Sequence, residues 1–247
     1  MDTHYFKTIW KSKYNRPIMN YLVKGASYDA TKPAWDIVRE CLARGDTDRN
    51  IVIAVLSRTI IQHDKSRVNE RVRGLHSILE PNFKPSVYLD YGCGDGQITK
   101  HIAQSFGITT ENAYGVDILE TCSTDINYAN PHEIPSGVVD LVTAFVSMHH
   151  ILDINTAISH IYRVLKPGGI FVIREHDFDG TALMFAYLQL IHVIACVKKS
   201  DNLDYIKYYS AIELRNIICA KGFVFNGTNT YNGNNPQGLY YATFRKK

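Results

Sequence analysis

Short apolar runs alternate with amphipathic segments along the chain from Pro85 onward. Five of these runs have the length and the residue types of buried strands, at residues 87–90, 114–117, 126–129, 141–145 and 170–174. Strands that alternate with helical segments are typical of a parallel sheet with helices on both faces. Two further strands are predicted at 223–225 and 239–244, on either side of a turn-rich stretch at 232–236. The pattern therefore predicts an α/β fold built on a doubly wound, seven-stranded sheet.

Two of the intervening segments carry specific helix signals. The first has a set of apolar residues at helical spacing, namely Ala157, Ile158, Ile161, Val164 and Leu165. The second begins with Ser210 and Glu213, which have the spacing of a capping box, and ends at Gly222. Both segments are predicted to be helices with an apolar face toward the sheet.

The first third of the chain has a helical rather than an alternating pattern. Apolar residues between 34 and 42 fall on one helical stripe that Gly45 closes, and a second apolar run at 51–61 is too long for an ordinary strand. We predict a helical N-terminal extension over residues 1–83 and a sheet domain over residues 84–247. The apolar run at 182–197 is short for a membrane span and contains Gln189 and His192, so it is predicted to be a buried or lid-facing helix.

Composition narrows the class of protein without identifying a partner. The 247 residues are 45% hydrophobic and 21% charged, which suits one full core with an accessory segment and excludes disorder. A net charge of +3 is too small to indicate a nucleic-acid binder by itself. The cysteines are odd in number, widely spaced and free of CxxC pairs, which argues against a disulfide framework or a zinc site. Because the N-terminus also lacks the apolar core of a secretory signal, we expect a cytoplasmic protein that is not bound to a membrane.

The segment 87–96 combines an apolar strand, an acidic residue at its end and a glycine-rich turn that opens a helix. Glycines at 92, 94 and 96 allow a tight turn and a close approach of a ligand to the backbone. A dinucleotide fingerprint needs a further glycine at position 97, where Gln97 stands, and Asp90 is unfavourable for a pyrophosphate. S-adenosylmethionine (SAM) has no phosphate, and its methionyl ammonium gains from a nearby carboxylate. Asp117, at the end of the next strand, can accept hydrogen bonds from ribose hydroxyls, so the segment predicts a SAM-type ligand.

Four segments also resemble, in the family's order, the motifs of class I SAM-dependent methyltransferases: DYGCGDG, GVDI, VDLVTAFVSMHHI and IYRVLKPGGIFVIRE. The resemblance covers residues 87–176 and extends to the capped helix and the last two strands. It implies a class I methyltransferase sheet, SAM as the cofactor, and transfer of a methyl group to an acceptor. Carried over position by position, it implies the following cofactor contacts: Asp90, Gly92, Cys93, Gly94, Gly96, Asp117, Ile118 and Asn130.

Polar residues follow the fourth and fifth predicted strands, where they should reach the rim that presents the methyl group. His149 and His150 follow the fourth strand, and Glu175, His176 and Asp177 follow the fifth. A histidine at this position could deprotonate an acceptor. We take His150, Glu175 and His176 as the candidate catalytic residues. Metal binding is not expected, because adjacent residues rarely converge on one ion and methyl transfer from SAM needs none.

Two classes of acceptor and one alternative function remain open. A small molecule could lie under the N-terminal helices and the 182–197 helix, or an RNA could lie against residues 5–24, where basic and aromatic residues alternate. The 2′-O-methyltransferases of RNA caps have an aspartate where this chain has Ser147-Met148-His149, which weakens the cap-ribose hypothesis and leaves base methylation open. The alternative function is a catalytically silent SAM-fold binding or regulatory subunit, because a fold does not fix a function. The oligomeric state is left open.

Overall fold

The structure is a computed structural model that describes residues 43–44, 64–118, 125–181, 184–185, 188, 206–230 and 238–247. In chain order its elements are α1 (Asp64–Ile78), β1 (Tyr88–Tyr91), α2 (Gln97–Ser105), β2 (Ala113–Val116), β3 (Asn127–Tyr128), β4 (Val139–Phe145), α3 (Ile154–Val164), β5 (Leu165–His176), α4 (Ala211–Ala220), β6 (Phe223–Thr230) and β7 (Leu239–Lys246). Single 3₁₀ turns lie at Thr110–Asn112 and Met148–His150. The chain divides into two compact units, and the sheet unit comprises Ser66–His176, Tyr205–Thr230 and Tyr240–Lys247.

The strands form one sheet in the order β3-β2-β1-β4-β5-β7-β6. Neighbouring strands among β1 to β5 are parallel, and β6 and β7 form an antiparallel pair. The chain begins in the middle at β1, moves outward to β3, and then returns to the other side of β1 as β4. Ligands of open parallel sheets bind outside the carboxyl ends of the strands at such a reversal. The structure thus confirms the predicted seven-stranded α/β sheet, in which the order of strands reverses between β1 and β4.

Burial on both faces explains why β4 and β5 read as continuous apolar runs. Leu141, Val142, Phe171 and Val172 are each 0% exposed. Complete burial of such a side chain contributes about 1.5–3 kcal/mol, so this central pair is a large part of the core. The core extends to the last strands through Phe244, which is also fully buried and lies beside Phe171.

Local capping signals explain where two of the helices begin. Asp153 caps α3 by accepting a hydrogen bond from the Thr156 N–H at 3.1 Å. Ser210 and Glu213 form the predicted capping box at the start of α4, with each side chain bonded to the other residue's backbone N–H. Two orphan donors of the first turn are satisfied in this way. The buried face of α3 includes Ala157, Ile158, Ile161 and Val164, as the helical spacing predicts.

Strand ends differ from the predicted ones in ways that matter for the site. β1 continues to Tyr91, so Asp90 lies within the strand. β5 runs from Leu165 to His176, so Glu175 and His176 are its last two residues rather than part of the loop after it. The third predicted strand shortens to Asn127–Tyr128, because Asn130 already accepts the Glu133 N–H in a turn.

Several predicted features lie outside the described residues. These are the helices at 34–45 and 51–61, the basic and aromatic stretch 5–24, most of the 182–197 helix and the turn at 232–236. Helix α1 falls within the predicted helical extension of residues 1–83. No helix in the described part of the chain combines the length and the apolar character needed to cross a membrane.

Candidate active site at the carboxyl edge of the sheet

The glycine turn after β1 is fixed to the end of β2 by backbone hydrogen bonds. The N–H groups of Gly92 and Cys93 both donate to the carbonyl of Val116, at 2.7 and 3.1 Å. The Gly94 N–H donates to Oδ2 of Asp117 at 2.6 Å. The turn and the acidic residue that were predicted separately from the sequence are therefore in direct contact.

All three glycines of this turn have positive φ angles, and the surroundings of Gly92 and Gly94 differ. Gly92 has φ +87°, and a Cβ on it would lie 2.4 Å from Cβ of Ser147, so this position is closed by packing. Gly94 has φ +56°, and a Cβ there would meet no atom of the described residues within 4 Å. Open space therefore adjoins Gly94 and the Asp117 carboxylate that it binds. A bound molecule with a polar group could approach the backbone at this point.

Asp90 is buried, with 3% of its surface exposed, and both of its carboxylate oxygens accept hydrogen bonds from threonines. Thr99 on α2 donates to Oδ2 at 2.7 Å, and Thr143 on β4 donates to Oδ1 at 2.7 Å. Burial raises the pKa of Asp90 to about 6, although the two threonine hydrogen bonds act in the opposite direction. Asp90 thus joins β1, α2 and β4 behind the glycine turn, and any contact with a cofactor has to use its remaining lone pairs.

The other predicted cofactor residues lie around Asp117. Ile118 is 89% exposed, which is unusual for a large apolar side chain and fits the predicted contact with an adenine ring. Cys93 is buried, and its sulfur fills the space in front of Gly115. Asn130 is exposed, and its side-chain oxygen accepts the His132 N–H at 3.0 Å, which is a local turn contact. The sequence did not single out Tyr128, whose hydroxyl donates to the backbone carbonyl of Asp117.

The residue after β4 is held in a strained backbone conformation. Val146 has φ +56°, a region that β-branched residues avoid, and its N–H donates to the Arg174 carbonyl at 2.6 Å. The next residue, Ser147, donates from its hydroxyl to the Tyr91 carbonyl at 2.9 Å. Such strain persists only where the surroundings fix it, and it is concentrated at functional sites. The strained bend directs the chain into the 3₁₀ turn that carries His149.

His149, Glu175 and His176 converge between the ends of β4 and β5. Nδ1 of His149 lies 2.7 Å from Oε1 of Glu175, and both side chains are 1% exposed. The backbone N–H of His176 donates to the same oxygen at 2.9 Å. One potential metal-ligand atom from each of the three residues lies within 4.8 Å of the other two. Burial opposes ionisation of Glu175, but the charge and hydrogen bond of His149, with help from His176, lower its pKa to about 2.

The catalytic role of His150 stays a prediction. Glu175 pairs with His149, whereas His150 is half-buried and contacts the ring of His149 at a centroid distance of 4.2 Å. Tyr208, which the sequence did not indicate, packs its ring 5.5 Å from that of His149. Glu175 and His176 are adjacent in sequence, and adjacent residues were expected not to converge on one point. They do so because the Glu175 side chain folds back and accepts the backbone N–H of His176.

A surface cavity of about 640 Å³ lies elsewhere in the sheet unit. It is lined by the end of α1, the start of the paired part of β5 and part of β6, including Ser77, Ile170 and Gly227. None of the residues discussed above lines it. We therefore place the candidate site at the carboxyl edge, where the polar groups converge.

The sequence of the chain matches a family model and several known proteins. A family model for a methyltransferase domain matches residues 61–225. A ubiquinone biosynthesis O-methyltransferase from Psychrobacter arcticus is 24% identical over 149 residues, which cover 55% of this chain and 58% of that protein. The mitochondrial arginine-hydroxylase NDUFAF5 of Danio rerio is 31% identical over 150 residues, which cover 55% of this chain and 44% of that protein. The chain thus spans about half the length of these relatives.

The fold is also similar to solved structures. A 1,6-didemethyltoxoflavin-N1-methyltransferase from Burkholderia thailandensis, solved with its substrate and S-adenosylhomocysteine, has a TM-score of 0.52 and 18% identity. The similarity covers 76% of this chain and 81% of that chain. At this level of identity the similarity concerns the fold.

Proposed function

The chain belongs to the methyltransferase-domain family, and on that basis we propose that it binds SAM at the ends of β1 and β2 and methylates a small-molecule acceptor held at the ends of β4 and β5. When bound, SAM supplies a methyl group attached to a positively charged sulfur, and the acceptor displaces that sulfur from the methyl carbon. The contribution of the chain is to hold both molecules in line and to exclude water. Such positioning can lower the activation barrier by several kcal/mol, and by about 7–11 kcal/mol in the best cases.

The observation that supports the cofactor site most directly is the contact between Gly94 and Asp117. This hydrogen bond, at 2.6 Å, joins the glycine turn to the carboxylate that should receive the ribose. The open space beside Gly94 leaves room for the methionyl end of SAM, and the exposed Ile118 offers an apolar surface for the adenine. Asp90 adds a negative charge behind the turn when it is ionised, which favours a methionyl ammonium. The donor set therefore suits SAM.

At the acceptor end, His149, Glu175 and His176 orient a hydroxyl or amine and provide groups that can receive its proton. Glu175 fixes the ring of His149 through the hydrogen bond to Nδ1, as a carboxylate does when it orients a catalytic histidine. Two observations favour a small molecule over RNA. The polar groups of this end are buried, and two of the similar proteins are named for the processing of small molecules.

Calorimetric titration of the chain with SAM and S-adenosylhomocysteine tests the cofactor site. We expect Asp117→Asn to weaken binding at least tenfold, about 1.4 kcal/mol, because the amide cannot accept at both positions. The matched control is Asp125→Asn, which changes an exposed carboxylate paired with Lys100. Equal affinity in both variants would contradict the assignment of Asp117. Labelled SAM, offered with a small-molecule extract or with RNA, then identifies the class of acceptor by which fraction takes up label.

A second candidate function is hydroxylation, which one specific observation favours. Two histidines and a carboxylate that converge on one point are the ligand set of non-haem iron oxygenases, and one relative is named an arginine-hydroxylase. Hydroxylation needs dioxygen and an electron donor such as a 2-oxo acid, and it adds an oxygen atom to the product. Methylation adds a CH₂ unit and needs SAM. Accurate mass of the product therefore separates the two functions.

A further inference from the structure

A buried carboxylate with one unsatisfied oxygen lies at the centre of the His149, Glu175 and His176 cluster. Oε1 of Glu175 accepts hydrogen bonds from His149 Nδ1 and the His176 N–H, whereas Oε2 is buried and has no hydrogen-bond partner among the described residues. A buried charged oxygen without a donor costs several kcal/mol, and native structures rarely leave one in this state. The geometry therefore indicates that a further positive group belongs at this point.

A proton on His149 cannot be the positive group that Oε2 of Glu175 needs. Among the described residues His149 and His176 act electrostatically on Glu175, and the proton on His149 Nδ1 is one of the two donors to Oε1, the other being the His176 N–H. Arg174, the next charged residue of β5, directs its guanidinium to Glu70 on α1 at 3.1 Å. A proton on His149 leaves Oε2 as it is. A cation placed between the three side chains contacts the carboxylate and both rings at once.

The donor set and its dimensions suit a metal ion of a particular class. Ligand atoms bound to one zinc or iron ion lie about 3 to 3.5 Å apart, since each bond is about 2.0–2.2 Å. The three groups lie within 4.8 Å, and the His149–Glu175 pair is at 2.7 Å. A site is complete when that pair separates by about 0.3–0.8 Å and the longest separation shortens by at most about 1.3–1.8 Å. Imidazole nitrogens suit zinc, iron, cobalt and nickel, whereas magnesium and calcium prefer oxygen ligands.

We propose that His149, Glu175 and His176 bind one divalent first-row transition-metal ion, with at least one coordination position left for water or an acceptor atom. Three protein ligands and an open position are the arrangement of catalytic rather than structural metal sites. The ion supplies the positive partner that Oε2 of Glu175 lacks among the described residues. In that state the three side chains act on an acceptor through the ion, which lowers the pKa of a bound hydroxyl or water. This site does not depend on SAM binding, so it can be tested separately.

Titration of the tag-free, chelator-treated full chain with Zn²⁺ and Co²⁺ tests the proposal. We expect one ion per chain with micromolar or tighter affinity, and binding of Mg²⁺ weaker by a factor of about 100 or more. The visible spectrum of the Co²⁺ form should show nitrogen and oxygen ligation without thiolate charge-transfer bands, which excludes a site at the cysteines. Absence of stoichiometric binding by the wild-type chain would overturn the proposal.

Two variants locate the ion. Glu175→Gln preserves size and an acceptor for the His176 N–H, and His176→Gln removes one ring; each should weaken Zn²⁺ binding by a factor of about 10 or more. The matched control His160→Gln changes a histidine on α3 whose ring lies 4.3 Å from that of His132, away from this cluster, and it should bind as wild type does. Wild-type affinity in Glu175→Gln would overturn the assignment. If both variants unfold, paramagnetic broadening by Mn²⁺ decides: loss of the His149 and His176 ring signals supports the site, and their persistence refutes it.

Discussion

Replacement of Asp90 by asparagine should stabilise the protein at neutral pH, because the ionised carboxylate is buried at a cost. Its pKa rises from 3.8 to about 6 in the folded chain. A difference of about two pH units corresponds to about 3 kcal/mol, since each unit is worth about 1.36 kcal/mol. Asparagine has nearly the same shape, carries no charge, and can still bond to Thr99 and Thr143. At neutral pH we therefore expect a higher midpoint of thermal unfolding in Asp90→Asn.

The sign of the pH dependence distinguishes this explanation from a general packing effect. Because the folded pKa is raised, the folded chain binds the proton more tightly than the unfolded chain, so this contribution to stability is present at low pH and is lost as pH rises through about 6. Between about pH 4.5 and about pH 7.5 the advantage of Asp90→Asn should grow by about 2 kcal/mol. For a chain of this size that is a rise of about 4–8 °C in the difference between the two melting temperatures.

Asp140 provides a control of opposite sign. It is buried in part, which opposes ionisation, but hydrogen bonds from Lys166, Val87 and Ser86 lower its pKa below the ordinary value. Its ionised form therefore stabilises the fold above about pH 4, so Asp140→Asn should be less stable than wild type at neutral pH, and this deficit should shrink only as pH falls below about 4. Differential scanning fluorimetry at several pH values measures both variants. A difference between wild type and Asp90→Asn that does not change with pH, or a lower melting temperature for Asp90→Asn at neutral pH, would refute the reasoning.

The remaining predictions concern the backbone around the site. Gly92→Ala should lower the free energy of unfolding by more than about 2 kcal/mol, since the added Cβ meets Ser147 at 2.4 Å. Gly94→Ala should lower it by only about 1 kcal/mol and should chiefly reduce the affinity for SAM. Chemical denaturation measures the stability of both variants, and calorimetry measures their affinity for SAM. Val146→Gly should leave stability unchanged or raise it by about 1 kcal/mol, because it relieves the positive φ; a large loss would contradict the strain. Ser210→Ala should cost about 1 kcal/mol in the same unfolding assay by removing the cap of α4.

The cofactor half of the site could be predicted from the sequence because its signals are local. Asp90 and the glycines lie within a few residues of one another, and Asp117 ends the next strand, so strand and turn patterns were sufficient to place them. The pairing of Asp90 with Thr99 and Thr143 was not predicted, because hydroxyl contacts across elements leave no periodic trace. Asn130 was assigned to the adenine by resemblance, and that contact stays a prediction; in the structure its side chain closes a local turn.

The acceptor half depends on contacts between distant segments. Choosing between His149 and His150 requires the register of β4 on β5, in which Phe145 is paired with Arg174, and the bend at Val146. Neither feature can be read from spacing along one strand. The expectation that no metal binds considered Glu175 and His176 as neighbours in sequence and did not include a third ligand from another strand. The RNA hypothesis rests on residues 5–24, outside the described part of the chain, and stays untested.

The order of strands in the sheet also determines when the molecule can acquire its structure during synthesis. The carboxylate of Asp90 finds the Thr143 hydroxyl only 53 residues later in the chain, and β1 has no partner on that side until β4 has left the ribosome. A nascent chain that ends before β4 exposes the apolar strands β1 and β2 with one free edge, which is a state prone to association with other chains. The residues that complete the site, at the end of β5, follow about 30 residues after that. Nascent chains stalled before β5 should therefore bind chaperones.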